Sequence, residues 1–204
     1  MTLCHFIESE VMVVPKATFY NLSADKQAKI LSVLKTEFSS KPFNEVTVKT
    51  IIEQLGMARG SFYQYFEDLE DSYFYVLDQE TEDIHLKFLE CLTEQAGDLH
   101  AALQHFGQAM SQFVFDQDKY DLYYYRYLHW TDALSSDWHQ KKRSYYQSFY
   151  AKLNALDLDL EVMQYVKVVV HGLIERIFRD NLSQEQFLSI YQQQMEWIEK
   201  GIKE

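Results

Sequence analysis

Between residues 59 and 64 the chain sets out four side chains able to make directional contacts with a charged, hydrogen-bonding surface: Arg59, Ser61, Tyr63 and Gln64. A phenol or hydroxyl can donate to a phosphate oxygen. Glutamine can pair its amide with an adenine edge, and arginine can grip a phosphate or read a guanine. Phe62 and Phe66 lie four residues apart, so on a helix they share one side while the polar groups point elsewhere. Gly60 is small enough to let such a helix approach a partner's backbone closely.

No other grouping makes a catalytic or metal pattern. The seven histidines (His5, His85, His100, His105, His129, His139, His171) show no HExxH spacing. Cys4 and Cys91 are too far apart in sequence for a paired zinc motif or a disulfide framework, which fits a reducing compartment. With no glycine-rich phosphate loop and no nucleophile elbow, neither an enzyme nor a cofactor is expected.

A second concentration of chemistry is aromatic. Tyr123, Tyr124, Tyr127 and Trp130 fall in one tyrosine-rich run, and Phe106, Met110 and Phe113 recur at helical spacing just before it. Large apolar faces with polar tips suit a small-molecule pocket between helices, and these seven residues are the candidate effector wall. The same residues also suit a core or a dimer face. Arg126 and His129, three apart, can fix an acidic ligand, but the acidic, aromatic body favours a cationic or apolar aromatic compound.

These groups must be carried by helices. Two prolines and six glycines in 204 residues leave few breaks, and Leu, Glu, Gln, Lys and Ala dominate long segments. Ser23 caps a first amphipathic helix with Ile30, Leu31, Leu34 and Phe38 on its apolar side. Thr47 caps a short second helix that buries Ile51, Ile52 and Leu55 and stops at Gly56, and a third runs from Arg59 to Phe66. Asp68 caps a fourth whose stripe continues to Leu92, and further helices are expected at 98–115, 120–130, 136–156, 159–179 and 183–202. The last two carry broad apolar faces, Val162, Tyr165, Val166, Val169, Leu173 and Ile177 on one and Phe187, Leu188, Tyr191, Met195 and Ile198 on the other. Faces that wide need a partner, and these residues, Leu188 and Ile198 aside, are the candidate dimer contacts.

The net charge of −12 hides an asymmetry, because residues 16–66 carry an excess of three basic groups while residues 67–204 carry −13. A basic head on an acidic body orients toward a polyanion. No stretch reaches the roughly 20 apolar residues of a membrane span, and the first residues lack the basic opening of a secretory signal. A cytoplasmic protein follows, with residues 1–16 as a flexible arm and Met1 or Met12 as its start.

Two short helices joined by a glycine turn and preceded by a packing helix have the dimensions of a helix-turn-helix. The series Thr47, Val48, Ile51, Ile52, Leu55, Gly56, Met57, Ala58, Arg59, Gly60, Ser61, Phe62, Tyr63, Tyr65, Phe66 resembles the N-terminal signature of the TetR family, a resemblance covering roughly residues 23–77. It implies a two-fold dimer whose third helix enters the DNA major groove and whose variable C-terminal domain binds a small inducer. Ser61, Tyr63 and Gln64 then lie on the recognition helix, Tyr63 toward phosphate and Gln64 toward base edges. Lys49 faces DNA from the preceding helix. Thr47, Arg59, Gly60 and Tyr65 complete the candidate DNA set, with Tyr65 divided between packing and contact. One departure is Leu69, where the family usually has a lysine on phosphate; Lys16, Lys26 or Lys29 can compensate.

The expectation is therefore an all-α chain with a three-helix DNA-binding head at 17–66 and a larger helical effector-binding and dimerisation domain at 67–204. Its function would be a ligand-responsive repressor of a palindromic operator. The alternative is a helical small-molecule-binding protein or enzyme that keeps the hairpin only as structure.

Overall fold

The structure is a computed structural model in which residues 15–80, 84–156 and 158–202 are described. Every regular element among them is helical. The head comprises α1 (Ala17–Tyr20), α2 (Ala24–Ser40), a 3-10 turn at Phe43–Glu45, α3 (Val48–Leu55) and α4 (Arg59–Tyr65). The body comprises α5 (Leu69–Glu80), α6 (Ile84–Glu94), α7 (Leu99–Val114), α8 (Tyr120–Leu128), α9 (Asp132–Lys141), α10 (Arg143–Ala155), α11 (Leu160–Arg179) and α12 (Gln184–Ile202).

Several helix ends follow from local chemistry. The Thr47 hydroxyl accepts from the Thr50 amide at 3.2 Å, and the Asp68 carboxylate accepts from the Asp71 amide at 2.7 Å. Gly56 closes α3 at φ 64, a left-handed position that suits glycine. Ser23 stands at the N-cap of α2 in extended backbone but makes no side-chain cap bond. The single helix expected from Asp68 to Leu92 is seen as α5 and α6, with 81–83 outside the described residues. The one expected over 136–156 is two, α9 and α10, meeting at Lys142.

Side chains gather in two cores. The first holds Phe19, Leu34, Phe38, Ile51, Phe62 and Phe66 of the head together with residues 73–77 of α5, Leu122 of α8 and Leu134 of α9. The expected division after residue 66 therefore runs through this cluster, because α5 begins as the floor of the head. The second core joins α6, α7, α10, α11 and α12. There Tyr191 lies flat on Gly107, where an added Cβ would stand 2.3 Å from the ring, and its hydroxyl donates to the Leu103 carbonyl at 2.7 Å.

Helices α8 and α9 bridge the two cores. Trp138 meets Phe74 edge-on at 5.0 Å and Trp130 at 6.0 Å, while Tyr125 donates to the Ser40 carbonyl at 3.3 Å. Lys141 pairs with Asp71, and Lys142 pairs with Asp78 under the Trp138 ring. Among the described residues, no helix is long and apolar enough to cross a membrane.

Candidate functional site

The angle between α2 and α3 is fixed by a buried carboxylate. Glu37 accepts from Thr50 at 2.8 Å and from the Gln54 amide, and pairs with Lys41 at 2.8 Å. Burial by itself would raise its pKa, but the hydrogen bonds from Lys41, Thr50 and Gln54 outweigh it and hold the group below the ordinary carboxylate value. The αL turn at Gly56 then sends α4 across α3, with Phe62 and Phe66 buried beneath it.

On the outer side of this pair, Thr47, Lys49, Arg59, Gly60, Tyr63 and Gln64 are exposed, and Ser61 is half-buried. They lie at the start of α3 and along α4. Arg59 reaches the Tyr63 hydroxyl at 3.4 Å and lies 5.8 Å from its ring centre, so the two act as a unit. Lys49 is steered by Glu53 at 3.8 Å. Tyr65 turns the other way, half-buried against Phe19 at 6.1 Å, which makes it chiefly a packing residue.

Among the described residues Gly60 has no partner that needs it to be small, since a Cβ there would meet nothing within 4 Å. A helical glycine costs about 1 kcal/mol relative to alanine. Nothing among the described residues returns that cost.

The end of α4 is held by a segment expected to be a flexible arm. Residues 1–14 lie outside the described residues, but Pro15 is buried, and Lys16 and Thr18 satisfy the last carbonyls of the helix. The Lys16 amide donates to Tyr65 at 2.8 Å, its ammonium to Tyr63 at 3.1 Å, and the Thr18 hydroxyl to Gln64. Lys16 also pairs with Glu67 at 2.8 Å, so of the three suggested compensating lysines only Lys26 and Lys29 stand exposed. Leu69 packs against the head core, and a positive charge reaches the start of α5 from α9 instead, through Lys141 beside Asp71 and Asp68. A side chain arriving from so distant a helix leaves no mark in local sequence.

The body contains a cavity in two parts. A narrow slot of about 50 Å³ lies between α6, α7, α10 and α11, and a vestibule of about 610 Å³ opens between α6, α8, α9 and α11. Ile84, His85, Lys167 and His171 line both. Of the seven expected effector residues, Phe106 lines the slot and Tyr127 and Trp130 line the vestibule. Met110 and Tyr123 are core, Phe113 packs on Tyr123 at 6.2 Å, and Tyr124 packs on Phe178 at 6.1 Å. Arg126 lines the vestibule, while His129 stands exposed outside both parts. Sequence reasoning passed over Lys167 and His171; their spacing of four along α11 puts them on one side, but only the fold sets that side opposite His85.

The nine expected dimer contacts divide sharply. Val166, Leu173, Ile177, Phe187, Tyr191 and Met195 are buried in the chain's own core, and Val162 and Val169 pack against it. They leave little surface for a mate, because a wide apolar stripe does not say which edge turns inward. Tyr165 is 57% exposed, and with it stand Val168 at 68% and, on α12, Trp197 at 60%.

A helix-turn-helix head on an all-helical body defines a DNA-binding transcriptional regulator. The profile of "Bacterial regulatory proteins, tetR family" matches residues 30–71, and that of "Tetracyclin repressor, C-terminal domain" matches residues 99–201, half of the chain. The chain belongs to the TetR family. YfiR, an uncharacterised helix-turn-helix-type transcriptional regulator of Bacillus subtilis (strain 168), is 40% identical over 48 residues. That likeness spans 24% of this chain and only 23% of the relative's length. NalD, the secondary repressor of the MexAB-OprM multidrug efflux pump in Pseudomonas aeruginosa, superimposes with a TM-score of 0.63 at 15% identity, over 85% of this chain and 96% of its own, which speaks for the fold. A TetR family regulator from Chloroflexus aurantiacus J-10-FL is 24% identical over 93% of this chain and 98% of its own, with a TM-score of 0.49.

Proposed function

We propose that this regulator is a ligand-responsive repressor that occupies a palindromic operator as a homodimer in the cytoplasm and is released by a small molecule bound in its body. Residues 17–66 serve as the DNA-reading unit and residues 67–204 as the effector and dimerisation unit. The observation that carries the reading is the outer side of α4, where exposed Arg59, Tyr63 and Gln64 accompany a glycine whose small size no described residue requires. A phosphate backbone pressed against Gly60 gives that residue its reason. Tyr63 and Arg59 would hold phosphate, Gln64 a base edge, and Lys49 the flanking backbone.

Two heads must meet half-sites about 34–36 Å or a multiple apart, so the dimer is part of the mechanism. Tyr165 and Val168 on α11 and Trp197 on α12 supply its contacts. An effector in the vestibule touches Trp138 of α9, which leans on Phe74 beneath the head, so occupancy and head position are mechanically linked. Repression, as opposed to activation, is supported by the role of NalD as a repressor, since its fold is similar.

The test is a fluorescence-anisotropy titration against DNA upstream of the protein's own coding region and a shuffled control, at two salt concentrations. Tight, salt-dependent preference for one DNA that Tyr63→Ala reduces at least a hundredfold is the expected result. Sequence-blind binding in this titration and in a selection from random duplexes would refute the reading and favour a binding protein or enzyme with a purely structural hairpin.

A further inference from the structure

The body as a whole is acidic, but the walls of its cavity are not. Two of the residues lining the vestibule are cationic, Arg126 from α8 and Lys167 from α11, and three imidazoles, His85 from α6, His139 from α9 and His171 from α11, add ring nitrogens able to hydrogen-bond. Among the described residues one carboxylate joins them, Glu175, and it is held by Arg179 at 2.8 Å. Among the described lining residues the cationic groups thus outnumber the carboxylates where a ligand would sit, the opposite of the balance that led net charge to favour a cation or an apolar aromatic. Field at a site is set by the nearest groups, which distant surface carboxylates in water do little to offset.

The slot that leads on from these basic groups is apolar, walled by Phe88, Phe106, Phe149, Met163, Val166 and Val170. Such a slot accepts hydrocarbon and would reject a charged group, since burying an unpaired charge is costly. The basic groups sit where slot and vestibule meet, because Lys167, His171 and His85 line both. His85 and His171 face each other at 6.1 Å between ring centres, and Arg126 is held over the rings of Tyr127 and Trp138. Burial also presses the Lys167 ammonium toward its neutral form, which is the situation an arriving anion relieves.

On the reading of the body as an effector domain, we propose that the cavity takes an amphipathic carboxylic acid, its carboxylate held among Lys167, His171 and Arg126 and its apolar chain in the slot. The ligand is thus a monoanion with one greasy end. A cation of the same shape meets repulsion, and a neutral analogue forfeits the charge-assisted hydrogen bonds. Trp130 and Trp138 line the vestibule and report its occupancy.

The experiment uses the full-length protein and three probes of equal chain length, octanoate, octanol and octyltrimethylammonium, followed by tryptophan fluorescence and thermal shift. Octanoate is expected to bind at least tenfold tighter than either companion. Lys167→Met should lower octanoate affinity about tenfold while leaving octanol unchanged, and Lys167→Arg should restore most of it, which separates lost charge from damaged folding. Octanol or the ammonium binding as tightly as octanoate, or octanoate failing to bind, would overturn the proposal. Release of operator DNA is scored separately. Octanoate binding without release keeps the site and removes the inducer role, whereas release by the ammonium alone keeps an inducible repressor and overturns the acid.

Discussion

The two cores are built to opposite ends. Beneath the head, Phe19, Phe62, Phe66 and Tyr75 interlock ring against ring at 5.2–6.0 Å. The body leaves a slot and a vestibule between its helices. A head that must present one fixed surface to DNA gains from a filled core. A body that must accept a guest keeps space and accepts weaker packing there.

Truncation in the head breaks the filled side of that comparison. Phe62→Ala removes a ring that is 1% exposed and touches Phe66 at 5.4 Å. About 3–5 kcal/mol of stability should be lost, and operator binding with it, as measured by urea unfolding and anisotropy. A loss under 1 kcal/mol would mean that the head core collapses around cavities as readily as the body.

Enlargement tests the same contrast from the other direction. Ile51→Phe adds volume where none is spare and should cost about 1–3 kcal/mol. Val170→Leu points an extra methylene toward the slot, should cost less than about 1 kcal/mol, and should weaken binding of any ligand that uses the slot. Equal costs in the two variants would show that the slot closes in solution.

His171 carries the contrast into pH. Burial lowers its pKa to about 3, and the nearby charges of His85, Lys167 and Arg126 push the same way, with Glu175 one turn further along α11. The neutral ring is therefore the folded form. The unfolded chain takes up a proton near pH 6.5 and the folded chain does not, so the contribution of His171 is complete above about 6.5 and drains away as pH falls toward 3. Each pH unit in that window costs up to about 1.4 kcal/mol. His171→Gln should flatten the acid limb of thermal stability between pH 6.5 and 4.5, and an unchanged slope would place the acid sensitivity in another group.

The head was legible because its signals are local. The Thr47 cap, the Gly56 turn and the four-residue spacing of Phe62 and Phe66 each act within one helical turn, and all appear where expected. The cavity was half legible, because its walls converge from helices far apart in sequence. Tyrosine density marked Tyr127 and Trp130, which line the vestibule, but also Tyr123, which the fold buries, and periodicity could not tell core from slot among Phe106, Met110 and Phe113. On α11 and α12 the apolar stripe was evident, but which edge faced outward depended on how α7 packs against α12, a tertiary fact. The capping of α4 by Lys16 and Thr18 was hidden for the same reason.

The smallest expected effect is the most pointed, because it gives opposite signs for fold and function. At Gly60 a methyl group meets none of the described residues, and alanine is the better helix former, so Gly60→Ala should raise stability by up to about 1 kcal/mol. The same methyl would stand between α4 and the DNA backbone, so operator affinity should fall even as the head becomes more rigid. Thermal unfolding and anisotropy on one preparation read both signs. A variant that gained stability and kept its full operator affinity would show that the backbone does not approach there, and would move the reading surface toward Lys49 and the start of α3.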